Sequence, residues 1–532
     1  MIERRRVSYA EAHRDIPAWP IAASKPRKDP EDVDIPDLSL RETTDGEFVK
    51  SHGMHWAVAG LFLVGDMAGG GIVALPTAVL QCGFFVGLVV CGVMALVATT
   101  TAVFLGHSWL VLLRLWPEYR AAHCRKPYAE IGFRALGLRA KSLVSVCLNV
   151  TQFGVAVVFL LLSAKNIHDF VATFTSKGPD LCVVLLVLGV LLLPITLLKS
   201  PEDFWWAIVA GMCSTAIAVS LIVAGAARDH ERCAPAAAEP SFRFSGFFGA
   251  LGTIVFTFCA HATYPQVLLK STLMNGECRT IQHDMRRPAH FSRSAVMAYG
   301  IICLLYAPVV VMAYLTYGDS LRESIINSIQ TSWIQQAVNM MIAAHCMLTL
   351  ALVFNPLNQE AEEFFRVPQE FGIQRILLRS AMMAAVVFTA ETMPSFGPVL
   401  NLIGASTVTL TCVIFPPLFF LWLVARERSG GADRTEAVGI RDVLRHNDRF
   451  VLLLSAFFLF VGVVGGTAAT YTAVVEVTGT HFELPCYVKL FRPHFANHTP
   501  AVTNCCGAFQ NISVHGLPVD SFCSAPNYDF YG

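Results

Sequence analysis

Charged residues are scarce in this sequence, and neither sign of charge predominates. Only 15% of the 532 residues are Asp, Glu, Lys or Arg, and 39 basic residues balance 39 acidic ones. This balance gives no indication of a nucleic acid or an acidic partner. Hydrophobic residues make up 54% of the chain, and the mean hydropathy is +0.54. Such values are typical of a protein that lies in a lipid bilayer.

Motifs of the common enzyme and pump classes are also missing from the sequence. It contains neither the G-x-x-x-x-G-K-[ST] loop that binds nucleotide phosphates nor the H-E-x-x-H helix that binds zinc. Its histidines are scattered, and no segment between the hydrophobic runs is long enough for a catalytic domain. We therefore expect no enzyme activity, no metal site and no cofactor other than a coupling ion.

Long hydrophobic runs recur along the chain. A bilayer core of about 30 Å requires about 20 apolar residues in an α-helix. The runs predict one membrane domain at residues 51–475, preceded by a cytoplasmic disordered tail at 1–50 without a cleavable signal peptide. We count eleven candidate spans, near residues 56–80, 84–112, 142–164, 181–198, 204–227, 246–269, 294–317, 335–356, 376–393, 397–425 and 450–475. The ninth is the weakest, since it contains Arg379 and is cut short by Glu391 and Pro394.

The distribution of Lys and Arg predicts the orientation of the chain. With a cytoplasmic N-terminus, the cytoplasmic loops carry twenty-two Lys and Arg residues and the opposite side carries eight. Basic residues beside spans stay in the cytoplasm, so this orientation is expected. The odd number of spans then places residues 476–532 outside. This tail contains two glycosylation sequons, at Asn497 and Asn511, which can be used only on the lumenal or extracellular side.

The same tail holds four of the sixteen cysteines. An oxidising compartment favours disulfide bonds, and four cysteines allow three pairings within the tail. Zinc is the rival interpretation, but the C-x-x-C pairs of a structural zinc site are missing. The other twelve cysteines lie mostly in spans, where we interpret them as small buried hydrophobic residues. The tail cysteines are Cys486, Cys505, Cys506 and Cys523.

The first span contains residues that are unusual in an uninterrupted membrane helix. The stretch GDMAGGGIVALP at residues 65–76 combines an acid, three consecutive glycines and a proline. Glycines let the backbone unwind, and Pro76 removes a helical hydrogen bond. A break inside a membrane is tolerated only where it lines a cavity or is buried in protein. The alternative is that the small residues merely allow helices to pack closely.

The sixth span has a comparable feature. In FTFCAHATYP, residues 256–265, a polar cluster and a proline interrupt an apolar run. Paired breaks in the first and sixth helices, with five helices in each half, are typical of inverted-repeat transporters, which bind substrate near the midplane. Half-helix N-termini can bind a carboxylate, and free carbonyls can bind a cation or an ammonium group. The candidate substrate-binding residues are Gly69, Gly70, Gly71, Thr151, His261, Ala262 and Thr263.

Asp66 is the candidate ion-coupling residue, together with Thr349 in the eighth span. An ionisable group inside a span is costly and usually faces an aqueous cavity or a partner. A carboxylate at the first break could ligate a cation, or it could bind and release a proton in each cycle. The alternative is that Asp66 pairs with His261 or His345 and only braces the helix bundle. The coupling ion is left open as H⁺ or Na⁺.

Five short motifs occur in the order that a known family has. They are GGGIVALPTAVLQCG (69–83), PYAEIGFRALG (127–137), DMRRPAHF (284–291), YLTYGD (314–319) and MPSFGPVLNLIGAS (393–406). On these motifs the sequence resembles the amino acid/auxin permeases, which include vesicular inhibitory, proton-coupled and sodium-coupled neutral amino acid transporters. The resemblance covers roughly residues 50–475.

The resemblance implies an all-α, multi-pass, leucine-transporter-like fold with two inverted five-helix repeats and an eleventh helix. It also implies ion-coupled, alternating-access transport of amino acids, for which we expect small neutral substrates. An amino acid and membrane lipid are the expected partners, and the oligomeric state is open. A sensor that binds an amino acid without net transport is the main alternative, and a channel is a third. The plasma membrane is favoured over a lysosomal or vesicular membrane.

Overall fold

The computed structural model describes most of the membrane domain and little of the two tails. The expected disordered tail lies largely outside the described residues. So do Ala262, Thr263, both sequons (Asn497 and Asn511) and three of the tail cysteines, Cys505, Cys506 and Cys523. The described residues are 41–42, 48–49, 54–121, 124, 126–175, 179–197, 205–236, 242, 244–258, 261, 285–318, 321–368, 372–431, 437–479 and 485–489.

These described residues are almost entirely helical, because an α-helix satisfies its own backbone hydrogen bonds in a medium without water. The exception is a two-stranded antiparallel pair, Arg41–Glu42 with Phe48–Val49. In chain order the α-helices are α1 (Trp56–Met67), α2 (Gly71–Cys82), α3 (Phe84–Leu115), α4 (Glu118–Ala121), α5 (Pro127–Leu136), α6 (Leu138–Phe174), α7 (Leu181–Leu197), α8 (Trp205–Cys233), α9 (Phe244–Phe258), α10 (Phe291–Tyr317), α11 (Ser332–Phe364), α12 (Ile373–Thr392), α13 (Phe396–Ile403), α14 (Phe415–Arg428), α15 (Ile440–His446), α16 (Arg449–Gly479) and α17 (Cys486–Lys489).

Eight helices of the described part are long and apolar enough to cross a membrane, or nine if the bent pair α1 and α2 counts as one span. The two shorter apolar helices α7 and α9 lie where the sequence predicts the fourth and sixth spans. Apolar side chains on α16 point outward, as Phe450, Leu453 and Phe460 illustrate, which suits contact with lipid. The prediction of an all-α, multi-pass membrane protein is confirmed.

The tenth predicted span is not a regular helix. Two π-helical segments, Gly404–Val408 and Leu410–Ile414, lie between α13 and α14. Such segments are rare and are frequent at functional sites. Here α9 approaches closely: a Cβ atom at Gly252 would lie 2.5 Å from the Asn401 backbone oxygen. Glycine is therefore required at this crossing.

The ninth span is complete, although its charge made it the weakest prediction. Helix α12 runs from Ile373 and buries Arg379 fully. The Arg379 Nε donates to Glu362 Oε1 at 2.6 Å, and its Nη1 donates to the Thr196 carbonyl at 2.6 Å. Arg375 donates to the same carboxylate oxygen at 2.9 Å. The charge is tolerated inside the protein because a carboxylate and a helix C-terminus compensate it.

A second group of ion pairs connects α5 to α11. The Lys126 ammonium lies 2.7 Å from Glu360 and 3.1 Å from Glu363. Burial lowers the pKa of Lys126, but the hydrogen bonds and charges of the two glutamates outweigh burial and raise it overall. Lys126 therefore stays protonated and holds the loop helix against the end of α11.

The disulfide prediction for the tail needs a correction. Cys486 is disulfide-bonded, but its partner is Cys182 at the start of α7 rather than another tail cysteine. Cys233 at the end of α8 is also disulfide-bonded. Cys182 lies in the fourth predicted span, where the interpretation as a buried hydrophobic residue was wrong. Cys233 lies beyond the end of the fifth predicted span. We call the membrane face that holds the Cys182–Cys486 bond the tail side.

Candidate functional site

The first span is broken where the sequence places its glycines. Helix α1 ends at Met67, α2 begins at Gly71, and the two axes differ by 65°. The Gly69 N–H donates to the Met67 carbonyl at 2.8 Å, which turns the chain more tightly than an α-helix does. The Ile72 N–H then donates to the Gly69 carbonyl at 3.2 Å as α2 begins.

Carbonyl groups at the break are satisfied by side chains of other helices. The Tyr306 hydroxyl of α10 donates to the Met67 carbonyl at 2.8 Å. The Thr215 hydroxyl of α8 donates to the Ala68 carbonyl at 2.9 Å. The Met67 carbonyl thus accepts both from the Gly69 N–H and from a hydroxyl of another helix. A buried acceptor without any donor would cost about 1–3 kcal/mol. Neither Tyr306 nor Thr215 was identified from the sequence, because each is remote from the break in the chain.

A cavity of about 60 Å³ lies beside the break. It brings together five of the predicted site residues, namely Asp66, the three glycines and Thr151. Both new helix ends border it, so the C-terminal end of α1 and the N-terminal end of α2 face the same space. The lining residues are Asp66, Met67, Gly69, Gly70, Gly71, Thr151, Gln152, Val155, Phe159, Phe256, Thr257, Val353 and Val408.

Gly71 has no room for a side chain. A Cβ atom there would lie 2.5 Å from Thr257 Oγ1 and 2.9 Å from Thr257 Cα. The start of α2 is therefore in direct contact with α9, which is the helix that precedes the predicted second break. Thr151 makes the corresponding contact on the other side of the cavity, where its hydroxyl donates to Thr407 Oγ1 of the first π segment at 2.8 Å.

Thr349 does not line the cavity but contacts a residue that packs near it. Its hydroxyl lies 3.3 Å from His345 Nε2. His345 is fully buried, and its Nδ1 lies 2.9 Å from Thr215 Oγ1 and 3.1 Å from the Gly211 carbonyl. A Cβ atom at Gly69 would lie 2.9 Å from His345 Nε2. Thr349 and His345 are therefore not part of the cavity lining, and His345 packs against the break at Gly69.

His261 lies outside the set of cavity-lining residues. It is fully buried, and its Nε2 lies 3.0 Å from Thr101 Oγ1 of α3. The Thr101 hydroxyl also lies 2.9 Å from the Val97 carbonyl, to which it donates. This contact joins the segment after α9 to α3. Its neighbours in the predicted site, Ala262 and Thr263, lie outside the described residues.

A family model named "Transmembrane amino acid transporter protein" matches residues 52–465 of the chain. The chain belongs to this family. Membership confirms the resemblance that the sequence motifs indicate and gives amino acids as the substrate class. The family consists of transporters rather than enzymes, as expected.

Curated relatives of this transmembrane amino acid transporter come from Arabidopsis thaliana. Amino acid transporter AVT1J is 21% identical over 425 residues, which covers 78% of this chain and 90% of the relative. Amino acid transporter AVT1B is 23% identical, with 68% of this chain and 64% of the relative covered. Lysine histidine transporter-like 4 is 22% identical, with 71% and 82% covered.

Among solved structures, the chain is similar to the crystal structure of MhsT in complex with L-phenylalanine. The TM-score is 0.43 and the sequence identity is 12%. The likeness covers 78% of this chain and 98% of that chain.

Proposed function

We propose that this family member is a proton-coupled transporter that moves small neutral amino acids by alternating access. The observation that carries the proposal is the broken first span, whose two helix ends and Asp66 border one cavity. Secondary transporters bind substrate and coupling ion at such discontinuous helices. An amino acid carries a carboxylate, which suits the N-terminal end of α2, and an ammonium group, which suits the C-terminal end of α1.

The substrate carboxylate is assigned to the N-terminal end of α2, at Gly70 and Gly71. Backbone N–H groups and the helix dipole favour an anion at this position. The ammonium group is assigned to the opposite wall, which holds Asp66 and the C-terminal end of α1. The rest of the lining includes the apolar side chains of Phe159, Phe256 and Val353 beside the polar ones of Gln152 and Thr257. A cavity of about 60 Å³ with such walls favours a small neutral side chain.

The proton is proposed as the coupling ion because of how the break is satisfied. Sodium sites in broken-helix transporters use free backbone carbonyls. Here hydroxyl groups of Tyr306 and Thr215 already donate to the carbonyls of Met67 and Ala68. Asp66 is then the group at the break that can bind and release a proton.

The membrane and the orientation are also part of this proposal. We place the tail side outside the cell, at the plasma membrane, with the N-terminus in the cytoplasm and glycans on Asn497 and Asn511. The Cys182–Cys486 bond supports this orientation, since disulfides persist in oxidising compartments. The charge distribution of the loops points the same way.

The experiment compares Asp66→Asn with the wild-type protein in proteoliposomes. Uptake of a panel of labelled amino acids is measured at about pH 5.5 and about pH 7.5, with and without sodium, so that an effect of protons is separated from an effect of sodium. Acid-stimulated, sodium-independent uptake is expected for the wild type and should be lost in Asp66→Asn. The control is Asp169→Asn, which changes an aspartate of α6 that contacts His168 away from the cavity.

Full acid-stimulated uptake by Asp66→Asn would contradict the role of this residue. Sodium-dependent uptake by the wild type would contradict the choice of ion. Saturable binding of an amino acid without any uptake would favour the sensor function instead.

A further inference from the structure

The last spanning helix carries a carboxylate near its C-terminal end. The sequence predicts that the eleventh span ends at residue 475, which would leave Glu476 in the external tail. Helix α16 instead runs to Gly479, and the apolar candidate span extends to Thr478. Glu476 is therefore part of the spanning helix, near the tail side. Ionisable residues in such positions are costly and are commonly functional.

Polar contacts lead from Glu476 to the cavity. The Asn401 Nδ2 of α13 donates to Glu476 Oε2 at 3.1 Å. The Thr253 hydroxyl of α9 donates to the Asn401 Oδ1. The Thr257 hydroxyl donates to the Thr253 carbonyl at 2.7 Å, and Thr257 lines the cavity opposite Gly71. Three elements, α16, α13 and α9, are thus joined by one series of hydrogen bonds.

The Asn401 amide has a fixed orientation in this series. Its NH₂ group faces Glu476 and its oxygen receives the Thr253 hydroxyl, so the two bonds depend on each other. The backbones of α9 and α13 are also in close contact here, since Gly252 packs against the Asn401 carbonyl. If the Asn401–Glu476 bond became weaker, the contact between α9 and α13 next to the cavity would therefore change as well.

Few charges face Glu476 from the neighbouring elements. The Glu323 carboxylate interacts with it electrostatically. Glu323 is itself balanced by Lys165 at 3.1 Å and by the Gly397 N–H at 2.7 Å. The sequences of α9, α13 and the two π segments contain no Asp, Glu, Lys, Arg or His. Within the described residues, Glu323 is the charged group whose electrostatic interaction with Glu476 is shown, and Lys165 balances Glu323.

We propose that Glu476 is a second proton-binding residue of the transport cycle, and that Asn401 passes its change of charge to α9. This inference rests on the proposed function, in which the proton is the coupling ion. A proton from the tail side adds to the Glu476 carboxylate, and its release restores the anion. Protonation neutralises Glu476, so the Asn401–Glu476 hydrogen bond loses its charged acceptor. A neutral hydrogen bond of this kind is roughly half as strong as a charge-assisted one. The α9–α13 contact then changes with proton occupancy.

The experiment measures the dependence of uptake on tail-side pH for Glu476→Gln in proteoliposomes. Glutamine keeps the shape and can still accept from Asn401, but it cannot titrate. Where protonation limits the wild-type rate, that rate should change by up to about tenfold per pH unit. In Glu476→Gln and in Asn401→Leu, the tail-side pH dependence should be weaker than in the wild type, and the part that depends on Asp66 should remain. Substrate exchange at constant pH should stay within about twofold, because the cavity residues are unchanged.

Glu391→Gln is the matched control, since Glu391 is another carboxylate near one end of a spanning helix, α12. It should keep the wild-type pH profile. If Glu476→Gln does not fold, Glu476→Asp retains a titratable group and should keep pH-dependent uptake with a shifted midpoint. An unchanged profile in Glu476→Gln, or a flat profile in Glu476→Asp, overturns this inference alone. A wild-type protein without any pH dependence overturns the proton-coupled function as well.

Discussion

The break in the first span is stabilised by individual side chains that are far away in the sequence. Tyr306 and Thr215 donate to the carbonyls of Met67 and Ala68, and His345 packs against Gly69. These contacts fix the positions of the ends of α1 and α2 relative to each other. In the proposed function, they are the reason why a proton rather than a metal cation is assigned to this site.

Tyr306→Phe should weaken this arrangement without changing the size of the core side chain. The substitution leaves the Met67 carbonyl without its hydroxyl donor. We expect the protein to lose about 1 kcal/mol of stability, a typical value for a hydrogen bond within a membrane protein. Thermal unfolding in detergent measures the loss, and substrate binding should weaken in parallel. Tyr471→Phe, at an exposed tyrosine of α16, should change neither quantity. Equal stability of the two variants would contradict the role given to Tyr306.

The sequence predicts the residues of the break better than those that hold it. Asp66, the three glycines and Thr151 line the same cavity. Unusual residues in an apolar span indicate a break in the helix, and the fold places this break inside the helix bundle. Thr349 was predicted to couple ions but lies against His345, one layer behind the cavity. Tyr306 and Thr215 carry no local signal, since a tyrosine or threonine in a helix gives no indication of which distant carbonyl it meets.

At the scale of elements, the site depends on how closely α2 approaches α9. Gly71 provides this approach, with Thr257 directly opposite. The π segments after α13 provide a second close contact with α9, at Gly252. Helix α9 is therefore fixed between the first and tenth spans, where small residues allow backbones to meet.

Gly71→Ala should abolish transport. The added methyl group would lie 2.9 Å from Thr257 Cα, so α2 or α9 must move. We expect uptake to fall by about tenfold or more, since a misplacement of about 1 Å can cost two orders of magnitude in rate. Gly92→Ala is the control, because a Cβ atom at Gly92 of α3 meets no atom within 4 Å. Uptake assays on both variants at equal expression measure the effect, and wild-type activity in Gly71→Ala would contradict the packing argument.

The buried ion cluster between α11 and α12 gives a second prediction about elements. Glu362→Gln leaves the guanidinium groups of Arg375 and Arg379 without their shared carboxylate. Removing one member of a buried ion pair costs about 3–5 kcal/mol, so folded yield and thermal stability should drop strongly.

Glu363→Gln, one residue further along α11, is the matched control. Its side chain is 58% exposed and contacts Lys126 at the surface. Exposed ion pairs contribute about 0–1 kcal/mol, so this variant should resemble the wild type. A stable Glu362→Gln protein would show that the cluster does not support the packing of α12.

The prediction of elements from the sequence succeeded where apolar runs are long. Each of the eleven predicted spans overlaps described helical residues, and eight of these helices, or nine with the bent pair α1 and α2, are long and apolar enough to cross a membrane. Most of the second half of the sixth predicted span lies outside the described residues. The π segments were missed, because their residues are as apolar as those of a regular helix. The charged end of α16 was also missed, since hydropathy does not report that a neighbouring helix supplies a partner for Glu476.

At the scale of the whole molecule, a disulfide bond connects the tail to the helix bundle. Cys182 and Cys486 are 304 residues apart in the sequence, and Tyr487 stacks on Phe388 of α12 at 5.7 Å. The start of the tail is thus attached at the ends of α7 and α12. No pattern in the sequence specifies this pairing, because a cysteine at a helix end looks the same as a buried one.

Glycosylation tests the orientation that the disulfide supports. If the tail side is outside, Asn497→Gln and Asn511→Gln should each remove one glycan in eukaryotic cells, seen as a mobility shift that enzymatic deglycosylation abolishes. Asn149 also begins an N-x-T sequence but lies within α6, so Asn149→Gln should leave the glycans unchanged. Absence of glycans from both tail positions, with modification elsewhere, would contradict the orientation.

Concentrative uptake by the purified protein tests the central claim most directly. The protein is reconstituted in proteoliposomes, a proton gradient is imposed with the tail side acidic, and a labelled small neutral amino acid is supplied. We expect accumulation above the external concentration, independent of sodium and abolished by a protonophore. Saturable binding with no accumulation under the same gradient would contradict transport and identify the chain as a binding protein.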